Sequence, residues 1–107
     1  MIEVRRYQRE DGSIPVAGWL ASMRDKIAQA SARTRIRRLE AGIFGDCKAV
    51  GEGVLELRID VGAGYRLYCA RHGNELVLLL CGGDKSSQSS DIKQAKAYWL
   101  DWKRRNT

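Results

Sequence analysis

The stretch from Val54 to Ile92 constrains the fold most, because it reads as three short apolar strands laid back to back. The alternation predicts strands near Val54–Ile59, Tyr65–Arg71 and Glu75–Cys81. The first pair turns through Asp60-Val61-Gly62-Ala63-Gly64 and the second through His72-Gly73-Asn74, both rich in residues that accept positive φ. Alternate strand residues share a face, so turn length fixes which side chains meet. With the first loop centred on Gly62, Arg58 and Arg66 become cross-strand partners. Like charges placed directly opposite cost a sheet roughly 0.2–1 kcal/mol. A sheet tolerates that when an anion belongs between them. Phosphate is the obvious candidate, because a guanidinium grips it with a planar fork. Lys85 leaves the end of the third strand and brings another cation toward the pair. Such a cluster on rigid strands points to a nucleic acid.

The remainder of the chain supplies cover for that meander. Ile2, Val4 and Arg6 alternate with Glu3, Arg5 and Tyr7 and predict an opening strand. After the Asp11-Gly12-Ser13 turn, Pro15 sits at a helix start, where its missing N–H costs nothing. Val16, Trp19, Leu20, Met23 and Ile27 fall on one helical face. A second helix is expected with Ala32, Ile36 and Leu39 inward and Gly42 just past its end. Its other face carries Arg33, Arg35, Arg37 and Arg38. Unbroken Leu76-Val77-Leu78-Leu79-Leu80 marks a central strand covered on both sides. A last helix, capped by Ser90 or Asp91, presents Ile92, Ala95, Trp99 and Trp102 as its apolar stripe. The expected fold is α+β: a mostly antiparallel sheet with an N-terminal helical hairpin and a C-terminal helix, in one domain spanning residues 1–107.

Charge narrows the class of partner. A net charge of +6 on 107 residues favours a polyanion or an acidic protein. The opening Met-Ile-Glu-Val-Arg-Arg has charges where a signal peptide is apolar, and Leu76–Cys81 is far too short to span a bilayer. Cys47, Cys69 and Cys81 are odd in number and form no CxxC; with one histidine they make no convincing zinc site. The last two read as small buried hydrophobes inside strands. The expected compartment is the cytoplasm, with no metal, cofactor or membrane.

Three runs carry a family resemblance: Gly53-Val54-Leu55-Glu56-Leu57-Arg58, then Gly64-Tyr65-Arg66-Leu67-Tyr68, then Leu79-Leu80-Cys81-Gly82-Gly83-Asp84-Lys85-Ser86-Ser87-Gln88. Closing with Asp91-Ile92 and Ala95, the chain resembles the RelE/HigB toxin superfamily, and more narrowly its addiction-module killer branch. The resemblance also takes in Trp19-Leu20 and Arg33 to Leu39, nearly the whole chain. The combination of ELR, GYR and GGDKxxQ is specific, whereas one triplet alone is weak. The resemblance implies a RelE/ParE-like toxin fold and cleavage of mRNA, often in the ribosomal A site. It also implies a cognate antitoxin encoded alongside, expected to be acidic and DNA-binding. Relatives with a histidine or tyrosine acid near the C-terminus differ from this chain, which continues into a helix there, so the general acid is left open.

Metal-free RNA cleavage needs a base for the 2′-OH proton, cations for the phosphate, and an acid for the leaving 5′-oxygen. Arg58 and Arg66 suit the clamp and not the proton shuttle, because a guanidinium holds its proton. Lys85 is the base candidate, since an ammonium crowded by cations and taken out of water gives up its proton more readily. The structural alternative for all three is an ion pair with Glu56, Asp60 or Asp84. Tyr68 shares the face of Arg66 and is expected either to stack a base or to pack in the core. Arg33, Arg37 and Arg38 are either a solvated face or phosphate contacts that position the protein on RNA. His72, in the turn far from Lys85, is the weaker base candidate despite its chemistry. The rival readings are a ParE-like DNA gyrase inhibitor, in which the cluster has no catalytic duty, and a non-enzymatic nucleic-acid-binding module.

Overall fold

The computed structural model describes all residues from Met1 to Thr107. Its five-stranded mixed sheet comprises β1 (Glu3–Arg6), β2 (Cys47–Gly51), β3 (Val54–Ile59), β4 (Tyr65–His72) and β5 (Leu76–Gly83). The spatial order is β1-β5-β4-β3-β2. β1 pairs with β5 in parallel; the other neighbours are antiparallel. The expected meander is β3-β4-β5, with β5 inside the sheet and buried from Leu76 to Cys81. β2 is an addition to the strands expected from sequence. It is an edge strand whose Lys48 and Ala49 are exposed, and its pairing with β3 slips between Ala49 and Gly51.

Helices cover both faces. α1 (Pro15–Ser22) and α2 (Lys26–Glu40) lie on one side, and α3 (Gln88–Arg105) lies on the other. On the first side Val16, Leu20, Met23, Ala28, Ala32 and Leu39 pack against Leu57, Leu67, Cys69, Val77 and Leu79. On the second, Ala95, Tyr98 and Trp99 pack against Val54, Tyr68, Ala70, Leu78 and Leu80. Fully burying each large side chain contributes about 1.5–3 kcal/mol, so two cores hold this sheet.

The first two helices form a layer supported by the sheet more than a mutually packed hairpin. α1 rests on β5, while α2 rests on β1 and β3. The helical run breaks at Met23, and Asp25 restarts it by accepting a hydrogen bond from the Ala28 N–H at 3.0 Å. That break rotates Ile27 out to 72% exposure, away from the face it was expected to share with Leu20 and Met23. α2 ends as expected. Gly42, at φ 77°, donates to Leu39, and Ile43 donates back to Arg38, so two orphan carbonyls are satisfied.

α3 starts earlier than Ser90 or Asp91. Asp84 accepts from the Ser86 N–H at 2.8 Å and caps a 3-10 turn, Lys85–Ser87, that runs straight into the helix. Between β4 and β5 the register shifts at Tyr68/Cys69, so Leu80 and Cys81 both face α3. This bulge re-aims the end of β5.

Candidate functional site

Arg58 and Arg66 are direct cross-strand partners, as the loop centred on Gly62 requires. They lie on the α3 face of the sheet, beyond the point where α3 stops covering it. Arg58 is 43% exposed along its side chain and Arg66 only 14%. Together with Asp46, Ile59, Asp60, Gly64 and Tyr65 they line an open pocket of about 250 Å³. Neither aspartate pairs with either arginine; the ion pairs of both run to Glu56.

Glu56 is the one charged residue in the buried core, at 0% exposure. Its Oε2 accepts from the Tyr68 hydroxyl at 3.0 Å and from Gln88 Nε2 at 2.8 Å. The same oxygen lies 3.7 Å from Arg66 Nε, and Oε1 lies 3.9 Å from Arg58 Nε. Glu56 Oε1 and Arg66 Nε are both buried without a hydrogen-bond partner. An internal carboxylate therefore sits beside the two like charges, and of the three partners offered by the sequence it is Glu56, not Asp60 or Asp84, that lies nearest. Glu56 had been visible as a possible partner, because it precedes Arg58 by two residues on the same strand face. Gln88 gave no separate signal beyond its place at the end of the GGDKxxQ run.

Of the two roles open to Tyr68, the structure gives it the core and not the base-stacking one. Its side chain is fully buried in the core between the sheet and α3, so it has no face to offer a base. Burial, followed by its hydrogen bond to Glu56, pushes the phenol above its ordinary value and keeps it a donor.

The exit of β5 brings Lys85 to the rim. A Cβ on Gly82 would overlap the Trp19 indole, and one on Gly83 would overlap the Asp91 carboxylate. The two glycines thus admit close packing from both sides. Gly64 has φ 76°, and a Cβ there would lie 3.3 Å from Arg66 Nη1 and 3.6 Å from Lys85 Cβ. A bare backbone at Gly64 lets both cations converge on the turn. Lys85 itself is exposed and makes no ion pair, so the partial burial expected for it is absent. Asp84, whose carboxyl is held below its usual range first by the Ser86 hydroxyl, is occupied as a cap.

The α2 arginines lie over the opposite face of the sheet from the clamp. Arg35 donates to the carbonyls of Phe44 at 2.7 Å and Asp46 at 3.2 Å, and to that of Arg58, so it is a loop tie. Arg38 and Lys26 border an open groove of about 590 Å³ that reaches Ile59, Asp60 and Val61. The clamp pocket shares Ile59 and Asp60, so groove and pocket meet around the end of β3. Arg33 and Arg37 are exposed and outside that groove. His72 is exposed and edge-on to Trp102, with ring centroids 5.2 Å apart, at the far end of β4. Burial pushes the Cys69 and Cys81 thiols up to about 12, as fits inert core residues. No group of three His, Cys, Asp or Glu converges to hold a metal ion, and no helix is long and apolar enough to cross a membrane.

Chemically, the open end of the sheet offers two forked cations over a buried carboxylate, with an exposed ammonium at the rim. That suits binding a phosphodiester and stabilising added negative charge on it. Two similarities bear on this. Residues 19–98 match the family described as "Phage derived protein Gp49-like (DUF891)", a span that contains every element of the site. An uncharacterized protein of Haemophilus influenzae is 54% identical over 78 residues, 73% of this chain and 79% of that protein.

Proposed function

The chain belongs to the phage-derived Gp49-like family, and from that premise we propose that it is the toxin of a type II toxin–antitoxin system, of RelE/HigB kind. In this reading it is a metal-independent endoribonuclease that cuts translated mRNA at the ribosome and so stops protein synthesis in the cytoplasm. One observation carries the reading: Arg58 and Arg66 pair across β3 and β4 at the uncovered end of the sheet, with Lys85 at their rim.

The arginines hold the scissile phosphate and stabilise the charge that builds on it. The ribose 2′-oxygen attacks the adjacent phosphorus, passing its proton to the Lys85 amine. The bond from phosphorus to the 5′-oxygen breaks, and that oxygen takes up a proton. The products are a 2′,3′-cyclic phosphate and a 5′-hydroxyl. RNA lying over the pocket strips water from the exposed Lys85, which the free protein does not do. An acidic antitoxin is the matching partner for a domain of net charge +6.

A non-catalytic second reading, inhibition of DNA gyrase, is favoured by one observation. The clamp pocket carries Asp46 and Asp60 beside its two arginines, which balances its formal charge. Pulse-labelling after expression without antitoxin separates the two. Translation should stop first, with new mRNA ends inside translated codons by primer extension. If DNA synthesis stops first and mRNA stays whole, gyrase inhibition replaces the ribonuclease.

A further inference from the structure

Glu56 is placed too well for a casual ion pair and too loosely for a structural one. Burying a carboxylate is costly unless it is paired and hydrogen-bonded. Here the hydrogen bonds come from neutral donors: Tyr68 at 3.0 Å and Gln88 at 2.8 Å, both on Oε2. The cations stand just outside bonding range, at 3.7 Å for Arg66 Nε and 3.9 Å for Arg58 Nε. Arg66 Nε and Glu56 Oε1 are left buried and unbonded, although a modest shift would join such groups. Charge attraction falls slowly with distance, whereas a hydrogen bond is lost within a fraction of an ångström. The arrangement holds two guanidiniums in place without locking them.

We propose that Glu56 is a built-in stand-in for the substrate phosphate: it steadies Arg58 and Arg66 in the free protein and is partly displaced as their partner when a phosphodiester enters from the pocket side. The proposal rests on the phosphate-clamp reading above. Glu56 is a positioning residue, because it acts through the arginines and is itself sealed from the pocket. The other charges nearby do not replace it. Asp46 and Asp60 line the pocket without pairing to either arginine, and Asp84 is engaged by Ser86. Glu56 thus sets two quantities in opposition. It stabilises the empty clamp and weakens the grip on an arriving anion.

Glu56→Gln keeps the side chain's volume and an oxygen that can accept from Tyr68 and Gln88, and removes only the charge. Inorganic phosphate is the probe, titrated against chloride at matched ionic strength and read by thermal shift and calorimetry. Glu56→Gln should melt lower than wild type without phosphate and bind phosphate more tightly, on the order of tenfold or more for one charge removed at this range. Gln88→Leu, which loosens Glu56 but keeps its charge, should show no such gain. A merely structural Glu56 would lower the melting temperature with no gain in affinity, and that result overturns the proposal. So does phosphate binding by neither protein. If Glu56→Gln does not fold in chloride, refolding in phosphate should recover the native circular dichroism spectrum, and failure in both salts also overturns it. Cleavage of RNA by the wild type is scored separately. Cleavage without the affinity gain removes the stand-in and keeps the nuclease, while the gain without cleavage removes the nuclease and keeps the stand-in.

Discussion

Glu56 Oε2 and Arg66 Nε stand 3.7 Å apart, near enough to share charge and too far to share a proton. This one spacing changes what a substitution at Arg66 does. From sequence, removing Arg66 would only relieve repulsion with Arg58. In the structure it also strips a buried anion of a cation.

Arg66→Ala should therefore lose both activity and stability. Losing one charged contact to the transition state costs on the order of 10²–10³ in rate. Leaving Glu56 under-compensated adds a destabilisation of roughly 3 kcal/mol. Arg66→Lys should recover part of the stability and little of the activity, since an ammonium lacks the planar fork. Urea denaturation beside a cell-free translation assay reads both. An Arg66→Ala protein as stable as wild type would show that the pair with Glu56 contributes nothing.

Lys85→Arg separates charge from proton transfer. The variant keeps a cation at the rim and cannot give up its proton. It should still bind translating ribosomes and cleave far more slowly in a single turnover. Cleavage at the wild-type rate rules Lys85 out as the base.

Gly82→Ala should be destabilising by about 1–3 kcal/mol, because the new methyl meets the Trp19 ring. The cost should shrink when Trp19 is also replaced by leucine, giving a clear coupling in a double-mutant cycle. Equal costs in both backgrounds would mean that the glycine serves the backbone and not the ring.

Alkali should unfold this protein early. Burial raises Cys69 and Cys81 from 9.0 to about 12. A group that holds its proton more tightly when folded contributes stability below its unfolded value and loses it as pH rises through its folded value. Each thiol moved that far contributes on the order of 4 kcal/mol. Stability should accordingly hold to about pH 9 and fall steadily above it, with the raised Tyr68 phenol adding to the fall above 10. Cys81→Ala should flatten the curve. A profile that stays level to pH 11 in the wild type would contradict this account.

Sequence and structure agree where one rule dominates and part where two compete. The Arg58–Arg66 pairing was legible because a glycine-centred loop fixes register and a strand alternates without exception. Tyr68 was placed on the correct face, yet its surroundings were not legible. α3 covers that face over Tyr68 and stops short of Arg66, so one strand step of two residues separates core from pocket. Ile27 was misplaced because the break at Met23–Asp25 contains neither proline nor glycine, although Asp25 was available as a cap. β2 escaped notice because an exposed edge strand needs no apolar alternation. The facing of the last residues of β5 was not legible, because a bulge at Leu80–Cys81 reverses which side they face and no residue there announces it.

The parallel pairing of β1 with β5 has a consequence for how the chain comes to exist at all. Residues 3 to 6 find their sheet partners only at residues 76 to 79, and the Tyr7 hydroxyl bonds Asp101, 94 positions away. The first strand emerges from a ribosome with nothing to pair with, and the tyrosine waits for almost the last turn of the final helix. Contacts of such long reach make for slow assembly. A nascent chain of this kind cannot complete its sheet until residues 76 to 79 have been made, so its fold is assembled from the two ends of the sheet's own sequence and not strand by strand.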